Sequence, residues 1–168
     1  MITRNRSVPG QAVPFPKKKV NLCFGCGEGN PGGMHLKFVR DAAQTCFASH
    51  VVLSKRYQGP PGYAHGGIIA TMLDEAMSKV NTLKPVIALT RRITVDYLRP
   101  VPLGRKLVVE GWKQRSRGRH YINRAEIRDH NGVVMARGRG WFIAINPSAM
   151  FPTPRSRNAA RSSGRNVA

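Results

Sequence analysis

The sequence has few cysteines and no long apolar run. Three cysteines in 168 residues are too few for a disulfide-stabilised secreted mini-protein. No apolar run approaches the roughly 18 residues of a membrane-spanning helix, and residues 1–11 lack the apolar region of a signal peptide. We therefore expect a cytoplasmic protein. The length favours one domain, because a single core usually takes about 100 to 200 residues.

Acidic residues are also scarce, at eight against 28 lysines and arginines, which gives a formal net charge of +20. Nine of the bases lie in residues 1–20 and 152–168, where no acid occurs, and the rest of the chain is still basic. A basic body indicates an anionic partner, either nucleic acid or a phosphate-bearing small molecule. Aromatic residues make up only 7% and no RNA-binding signature occurs, so nucleic acid would bind at most nonspecifically, through the tails.

Composition divides the chain into three parts. Residues 1–20 are basic and punctuated by prolines, and we expect them to lie over the surface or to be mobile. Residues 151–168 are rich in Pro, Ser, Arg and Asn and are predicted to form a disordered basic tail. The folded domain is predicted over residues 21–150.

Hydrophobic periodicity predicts one helix and six strands in the order ββαββββ. Apolar residues at helical spacing predict a helix over residues 68–81, which Pro85 prevents from continuing. Alternating patterns predict strands over residues 34–40, 45–53, 87–98, 106–115, 120–128 and 133–145. One long apolar helix among antiparallel strands is buried only if the sheet curls around it, so the predicted fold class is α+β.

Two glycines, Gly66 and Gly67, directly precede the predicted helix. Unpaired backbone N–H groups at a helix start carry partial positive charge, and glycine lets an oxygen anion approach them closely. The pair is thus a candidate oxyanion hole. From this feature alone, the alternative is that the glycines only form a tight turn into the helix.

Asp74 lies on the predicted helix away from its apolar face, as either a catalytic or a solvent-exposed acid would. Its neighbour Glu75 has a weaker claim of the same kind. Gly66 and Asp74 are eight residues apart, which is about 12 Å along a helix axis and too far for both to act on one carbonyl. If both are catalytic, the active protein is at least a dimer with composite sites.

Three segments carry a family resemblance. Residues 59–74 (GPPGYAHGGIIATMLD) and 94–104 (TVDYLRPVPLG) resemble the hotdog-fold acyl-CoA thioesterases, with the phenylacetate-pathway type nearest. Residues 23–38 (CFGCGEGNPGGMHLKF) are similar to the N-terminal segment of many members, so the resemblance covers about residues 21–145. It implies a hotdog fold, in which an antiparallel sheet wraps one helix, and a homodimer with a continuous sheet that often pairs again into a homotetramer.

The resemblance also implies an activity and site roles. Gly66 would donate its N–H to the thioester oxygen, and His65 would shape that turn. Asp74 of the partner chain would act as general base on water or as nucleophile, and Thr90 aligns with a hydroxyl residue that orients the water in some relatives. The implied reaction hydrolyses an acyl-CoA to a carboxylic acid and free coenzyme A without a separate cofactor. The alternatives are a hotdog dehydratase or hydratase, whose motif we do not find, and a non-catalytic acyl-CoA-binding or polyanion-binding protein.

Coenzyme A would supply the anion that the basic body requires, because its phosphates attract arginine. For any single arginine, the alternative is a solvated charge on a strand or hairpin. The predicted substrate-binding residues are Gln58, Gly67, Glu75, Arg99, Arg115, Arg117 and Arg119. The chain departs from the family pattern at Ser78, where glycine is usual, and at Lys79, where an apolar residue is usual. These departures leave the acyl specificity open.

Cys23 and Cys26, together with Cys46 and His50, form a formal set of four zinc ligands. On a strand over residues 45–53, Cys46 and His50 would be about 13 Å apart and could not share one ion. We therefore predict no metal site. Cys23 and Cys26 are interpreted as reduced thiols that brace a glycine-rich loop.

Overall fold

The computed structural model describes residues 20–43 and 45–146, which form one α-helix packed on a six-stranded antiparallel sheet, with a short 3-10 helix at Lys55–Tyr57. The helix is α1 (Gly66–Asn81). The strands are β1 (Val39–Arg40), β2 (Cys46–Val52), β3 (Ile87–Tyr97), β4 (Lys106–Arg117), β5 (His120–Asp129) and β6 (Val134–Ile145). Their order in the sheet is β1-β2-β4-β5-β6-β3, and each neighbouring pair is antiparallel. The predicted α+β class is confirmed.

The first strand is the clearest error in the predicted boundaries. It was expected over residues 34–40 but comprises only Val39–Arg40. The Met34 N–H donates instead to the Phe24 carbonyl (2.7 Å) and the Leu36 N–H to the Gly25 carbonyl (2.9 Å). The preceding loop therefore takes the hydrogen bonds that a longer strand would need. The other predicted boundaries agree with the structure within two residues.

The core forms where α1 crosses the central strands. The helix contributes the buried apolar side chains of Ile69, Met72, Leu73, Ala76, Met77 and Val80. The backbones approach closely at Gly111 of β4, where a Cβ atom would lie 2.5 Å from the Ala76 carbonyl oxygen. A Cβ atom at Gly138 of β6 would lie 3.1 Å from Leu73 Cβ, and one at Gly140 would lie 3.1 Å from Met77 Sδ. Glycine at these positions lets the sheet bury one whole side of the helix.

An irregularity in β3 changes which side chains face α1. The pairing of β3 with β6 shifts between Thr90 and Arg92, with Arg91 as the extra residue of a β-bulge. Thr90 lies opposite Phe142, which is fully buried, whereas Arg92 lies opposite Trp141, one position along the strand. The bulge therefore places Thr90 and Arg92 on opposite faces of the sheet, although residues two apart in a regular strand share a face.

Parts of the predicted organisation lie outside the described residues. Of the predicted N-terminal segment, only Val20 is described. The predicted tail (residues 151–168) and the end of the predicted domain (residues 147–150) lie outside the described residues. Across residues 20–43 and 45–146, no helix combines the length and apolarity needed to cross a membrane.

Gly111→Ala is expected to lower the free energy of unfolding by about 1–3 kcal/mol, because the added methyl group meets helix backbone that cannot give way locally. Gly32→Ala is the matched control, since a Cβ there would make an ordinary 3.5 Å contact with Asn30. Urea unfolding of both variants measures the difference. Equal stability of the two variants would contradict the close approach at Gly111.

Candidate functional site

The N-terminus of α1 has a defined hydrogen-bond arrangement around Gly66. His65 is the N-cap, and its Nδ1 atom accepts the Gly67 N–H at 3.0 Å. The Tyr97 hydroxyl donates to the Gly66 carbonyl at 3.2 Å, which ties the turn to β3. Within the described part of the chain, the Gly66 N–H donates to no acceptor. Gly66, rather than Gly67, therefore offers the unpaired N–H donor at this helix start.

Asp74 lies two turns along the helix and contacts the same strand. The Thr90 hydroxyl of β3 donates to Asp74 Oδ1 at 2.9 Å. Burial raises the pKa of Asp74 above its ordinary value, the Thr90 hydrogen bond lowers it, and the charge of Glu75 raises it. This half-buried carboxylate has a positioned hydroxyl partner and favours its protonated form more than an exposed aspartate does.

Within one protomer, the two groups remain apart. Gly66 and Asp74 are both in α1, eight residues and about 12 Å apart along its axis. Each contacts a different part of β3, Gly66 through Tyr97 and Asp74 through Thr90. We call these the Gly66 half-site and the Asp74 half-site. β3 is the edge strand of the sheet, so both half-sites lie along an edge that has no neighbouring strand in the described chain.

Three predicted substrate-binding residues have other partners. The Gly67 N–H is taken by His65, as described above. Glu75 accepts a hydrogen bond from the Cys23 thiol at 3.1 Å and therefore faces residues 20–33, which we call the N-terminal loop. Gln58 accepts the Gly62 N–H through Oε1 at 3.3 Å, within the loop that leads into α1. In this arrangement, Gly67 and Gln58 stabilise the approach to the helix.

The structure places Arg115 and Arg117 away from Asp74. Together with Trp141, they line a shallow depression on the sheet surface. Trp141 lies between Gly140 and Phe142, which face α1, so its own side chain and the depression lie on the opposite face. Among the described residues of one protomer, these two arginines and Asp74 are thus separated by the sheet.

The other two predicted arginines are exposed. Arg99 donates through Nη1 to the Val134 carbonyl at 2.8 Å, which ties the segment after β3 to β6. Arg119 lies in the turn between β4 and β5, where its carbonyl accepts the Ala144 N–H at 2.8 Å. Neither contact involves a group of the two half-sites.

The sequence indicates no role for Tyr97, and it links Lys79 only to the acyl pocket or the coenzyme. Tyr97 lies in the segment 94–104 that carries the family resemblance, but its contact with Gly66 depends on which face of β3 it occupies. As a departure from the family pattern, Lys79 suggests either a narrower acyl pocket or a contact with a polar acyl group or the coenzyme. In the structure, its ammonium donates to the Cys26 thiol at 3.2 Å.

Comparison with known proteins identifies the fold and a set of similar proteins. Residues 61–136 match the sequence model of the Thioesterase superfamily. The chain is 35% identical over 91 residues to acyl-coenzyme A thioesterase THEM4 of Xenopus laevis, covering 54% of this chain and 41% of that protein. The crystal structure of a thioesterase superfamily protein matches with a TM-score of 0.66 and 28% identity, covering 70% of this chain and 60% of that one. The PaaI protein from the E. coli phenylacetic acid degradation operon matches with a TM-score of 0.61 and 18% identity, covering 67% and 81%.

The helix on a curled antiparallel sheet is thus a hotdog fold, as predicted. The chain is thus similar to the hotdog-fold acyl-CoA thioesterases over the matched residues, in agreement with the resemblance of its sequence motifs. It spans about two-fifths of the length of the curated relatives it matches.

Thr90→Val is expected to raise the pKa of Asp74 further, because it removes a hydrogen bond that stabilises the charged carboxylate. Thr90→Ser should restore the original pKa. The measurement is a titration of the Asp74 carboxyl carbon by NMR in the three proteins. An unchanged or lower pKa in Thr90→Val would contradict the contact.

Proposed function

We propose that the protein hydrolyses an acyl-CoA thioester to a carboxylic acid and free coenzyme A. The carrying observation is the half-buried Asp74, hydrogen-bonded by Thr90, on a helix whose N-terminus leaves the Gly66 N–H free. The match of residues 61–136 to the Thioesterase superfamily supports the same reaction. The THEM4 proteins, which are named acyl-coenzyme A thioesterases, support the substrate class.

In the proposed reaction, Asp74 accepts a proton from a water molecule that attacks the thioester carbonyl carbon. The Gly66 N–H donates to the carbonyl oxygen as negative charge develops there. The carbon–sulfur bond then breaks, and the coenzyme A thiolate leaves and takes up a proton. Attack by the Asp74 carboxylate itself, followed by hydrolysis of the resulting anhydride, is the second route that the same groups allow.

The proposal includes a homodimer formed through β3. This strand is 11 residues long, contains no proline and exposes 44% of Leu89 and 56% of Tyr97 at the sheet edge. Such an edge pairs readily with another strand. Antiparallel pairing of two β3 strands about a two-fold axis would set the two α1 helices in opposite directions, so that the Gly66 half-site of one protomer approaches the Asp74 half-site of the other. Further pairing into a tetramer is compatible with this arrangement.

Two further parts of the proposal concern the coenzyme and the location. With Arg115 and Arg117 on the opposite sheet face in one protomer, contact with the coenzyme A phosphates would come from the arginines of a second copy.

A cytoplasmic location is supported by Cys23, Cys26 and Cys46, which are free thiols, as expected in a reducing compartment.

Asp74→Asn is expected to lower the hydrolysis rate at least about a hundredfold, as for loss of a general base. Asp96→Asn, at an exposed acid of β3, is the matched control and should retain activity. Release of free thiol from short, medium, long and aromatic acyl-CoAs measures the rate, and enoyl-CoA and 3-hydroxyacyl-CoA substrates test the hydratase alternative. An Asp74→Asn enzyme with full activity would refute the assignment.

A mixed-protomer experiment tests the composite site. Gly66→Pro removes the proposed donor at the first helical position, where proline is well tolerated, and the extended backbone of His65 (φ −65°, ψ 140°) suits a following proline. Alone, it should lower kcat about a hundredfold or more, whereas Gly66→Ala keeps the N–H as control. Random mixing of Gly66→Pro and Asp74→Asn protomers should restore about a quarter of wild-type activity, since half the dimers then contain one intact site.

The mixture is made by co-expression and assayed against each variant alone. No gain above the separate variants would refute a site shared between protomers.

A further inference from the structure

Two cysteines of the N-terminal loop and one acid of α1 form a compact cluster that the proposed reaction does not use. The potential ligand atoms of Cys23, Cys26 and Glu75 all lie within 4.8 Å of one another. Cys23 Sγ is 3.1 Å from Glu75 Oε1, and Lys79 Nζ is 3.2 Å from Cys26 Sγ. Glu75 and Lys79 are one turn apart on α1, so a single helix face meets both thiols.

These spacings are close to those of a tetrahedral zinc site. Zinc binds thiolate sulfur at about 2.3 Å and carboxylate oxygen at about 2.1 Å, which separates two sulfurs by about 3.8 Å and a sulfur from an oxygen by about 3.6 Å. Cys23 Sγ and Glu75 Oε1 would need to move apart by roughly half an ångström to reach this spacing. This set of ligands differs from the formal set in the sequence that includes Cys46 and His50. Those two residues lie opposite Trp112 and Val108, four positions apart along β2, which agrees with their rejection as ligands of one ion.

Charge also fits a divalent ion. Two thiolates and one carboxylate around a dication leave one net negative charge. The Lys79 ammonium neutralises it and donates to a ligand sulfur, as outer groups around zinc thiolates commonly do. Thiolate sulfur favours zinc over magnesium or calcium, which prefer all-oxygen sites.

The loop is shaped so that its thiols reach the helix. A Cβ atom at Gly25 would lie 2.2 Å from Glu75 Cγ, and one at Gly27 would lie 2.4 Å from the Cys23 nitrogen, so only glycine allows this approach. The loop gains little from apolar burial, because Leu22 is 65% and Phe24 45% exposed. Among the described residues, the two thiols make the hydrogen bonds that join the loop to α1.

We propose that Cys23, Cys26 and Glu75 bind one Zn²⁺ ion, with water as the fourth ligand, and that the ion fixes the N-terminal loop to α1. Binding replaces the two thiol protons, which are released to solvent, and changes no oxidation state. This proposal does not depend on thioesterase activity.

The test uses Co²⁺ as a spectroscopic probe, followed by displacement with Zn²⁺. The full chain is reduced, freed of metal with a chelator and titrated with Co²⁺. Intense d–d absorption with a thiolate-to-cobalt charge-transfer band, saturating at one ion per chain, is expected, and competition with a chromogenic chelator gives the zinc affinity. Cys23→Ser and Cys26→Ser should each weaken zinc binding at least about a hundredfold, whereas Cys46→Ser, at the cysteine outside the cluster, should not.

Glu75→Gln separates loss of a ligand from loss of folding, because it keeps both thiols and nearly the same side-chain size. It should weaken zinc binding and reduce the intensity of the cobalt d–d bands while the charge-transfer band remains. Zinc should raise the Tm of wild type and Cys46→Ser but not of Cys26→Ser. Absence of thiolate bands in wild type, bands that persist in Cys23→Ser and Cys26→Ser, or a Cys23–Cys26 disulfide that survives reduction and excludes cobalt would each overturn the proposal.

Discussion

Close contact between α1 and the central strands is the constraint on which the rest of the structure depends. The helix loses the most from exposure, because Met72, Leu73, Ala76 and Met77 have no accessible surface in the fold. Only a sheet that comes near the helix backbone can cover them, and Gly111 provides that approach. With this face buried, the other faces of the helix carry the polar residues of the two proposed sites.

Adjacent polar residues of α1 contact two different parts of the protein. Asp74 points to Thr90 on β3, and its neighbour Glu75 points to the N-terminal loop. Neighbouring residues are about 100° apart around a helix, so adjacent acids reach different neighbours. The two sites proposed above therefore share a scaffold without sharing ligands.

Much of the fold could be predicted from the sequence, because periodicity reports burial directly. The helix and five of the strands agreed within two residues, since apolar spacing in those segments is set by the core they build. The first strand failed because Met34 and Leu36 bond to a loop, and hydrogen-bond partners distant in sequence leave no periodic signal. For the same reason, the contact of Tyr97 with Gly66 and the cluster around Glu75 could not be predicted. The resemblance pointed to Asp74, Thr90 and Gly66 through motifs, but it could not give the sheet face on which Arg115 and Arg117 lie.

The bulge at Arg91 has a consequence for insertions and deletions in this strand. Thr90 and Tyr97 are seven positions apart, so a regular strand would send them to opposite faces, yet both reach α1. Loss of a single residue between them would turn one of the two side chains to the outer face while leaving the strand able to pair with β6. The number of residues between Thr90 and Tyr97 is therefore fixed by both contacts: a length change that folding tolerates would still remove the β3 partner from one of the two half-sites.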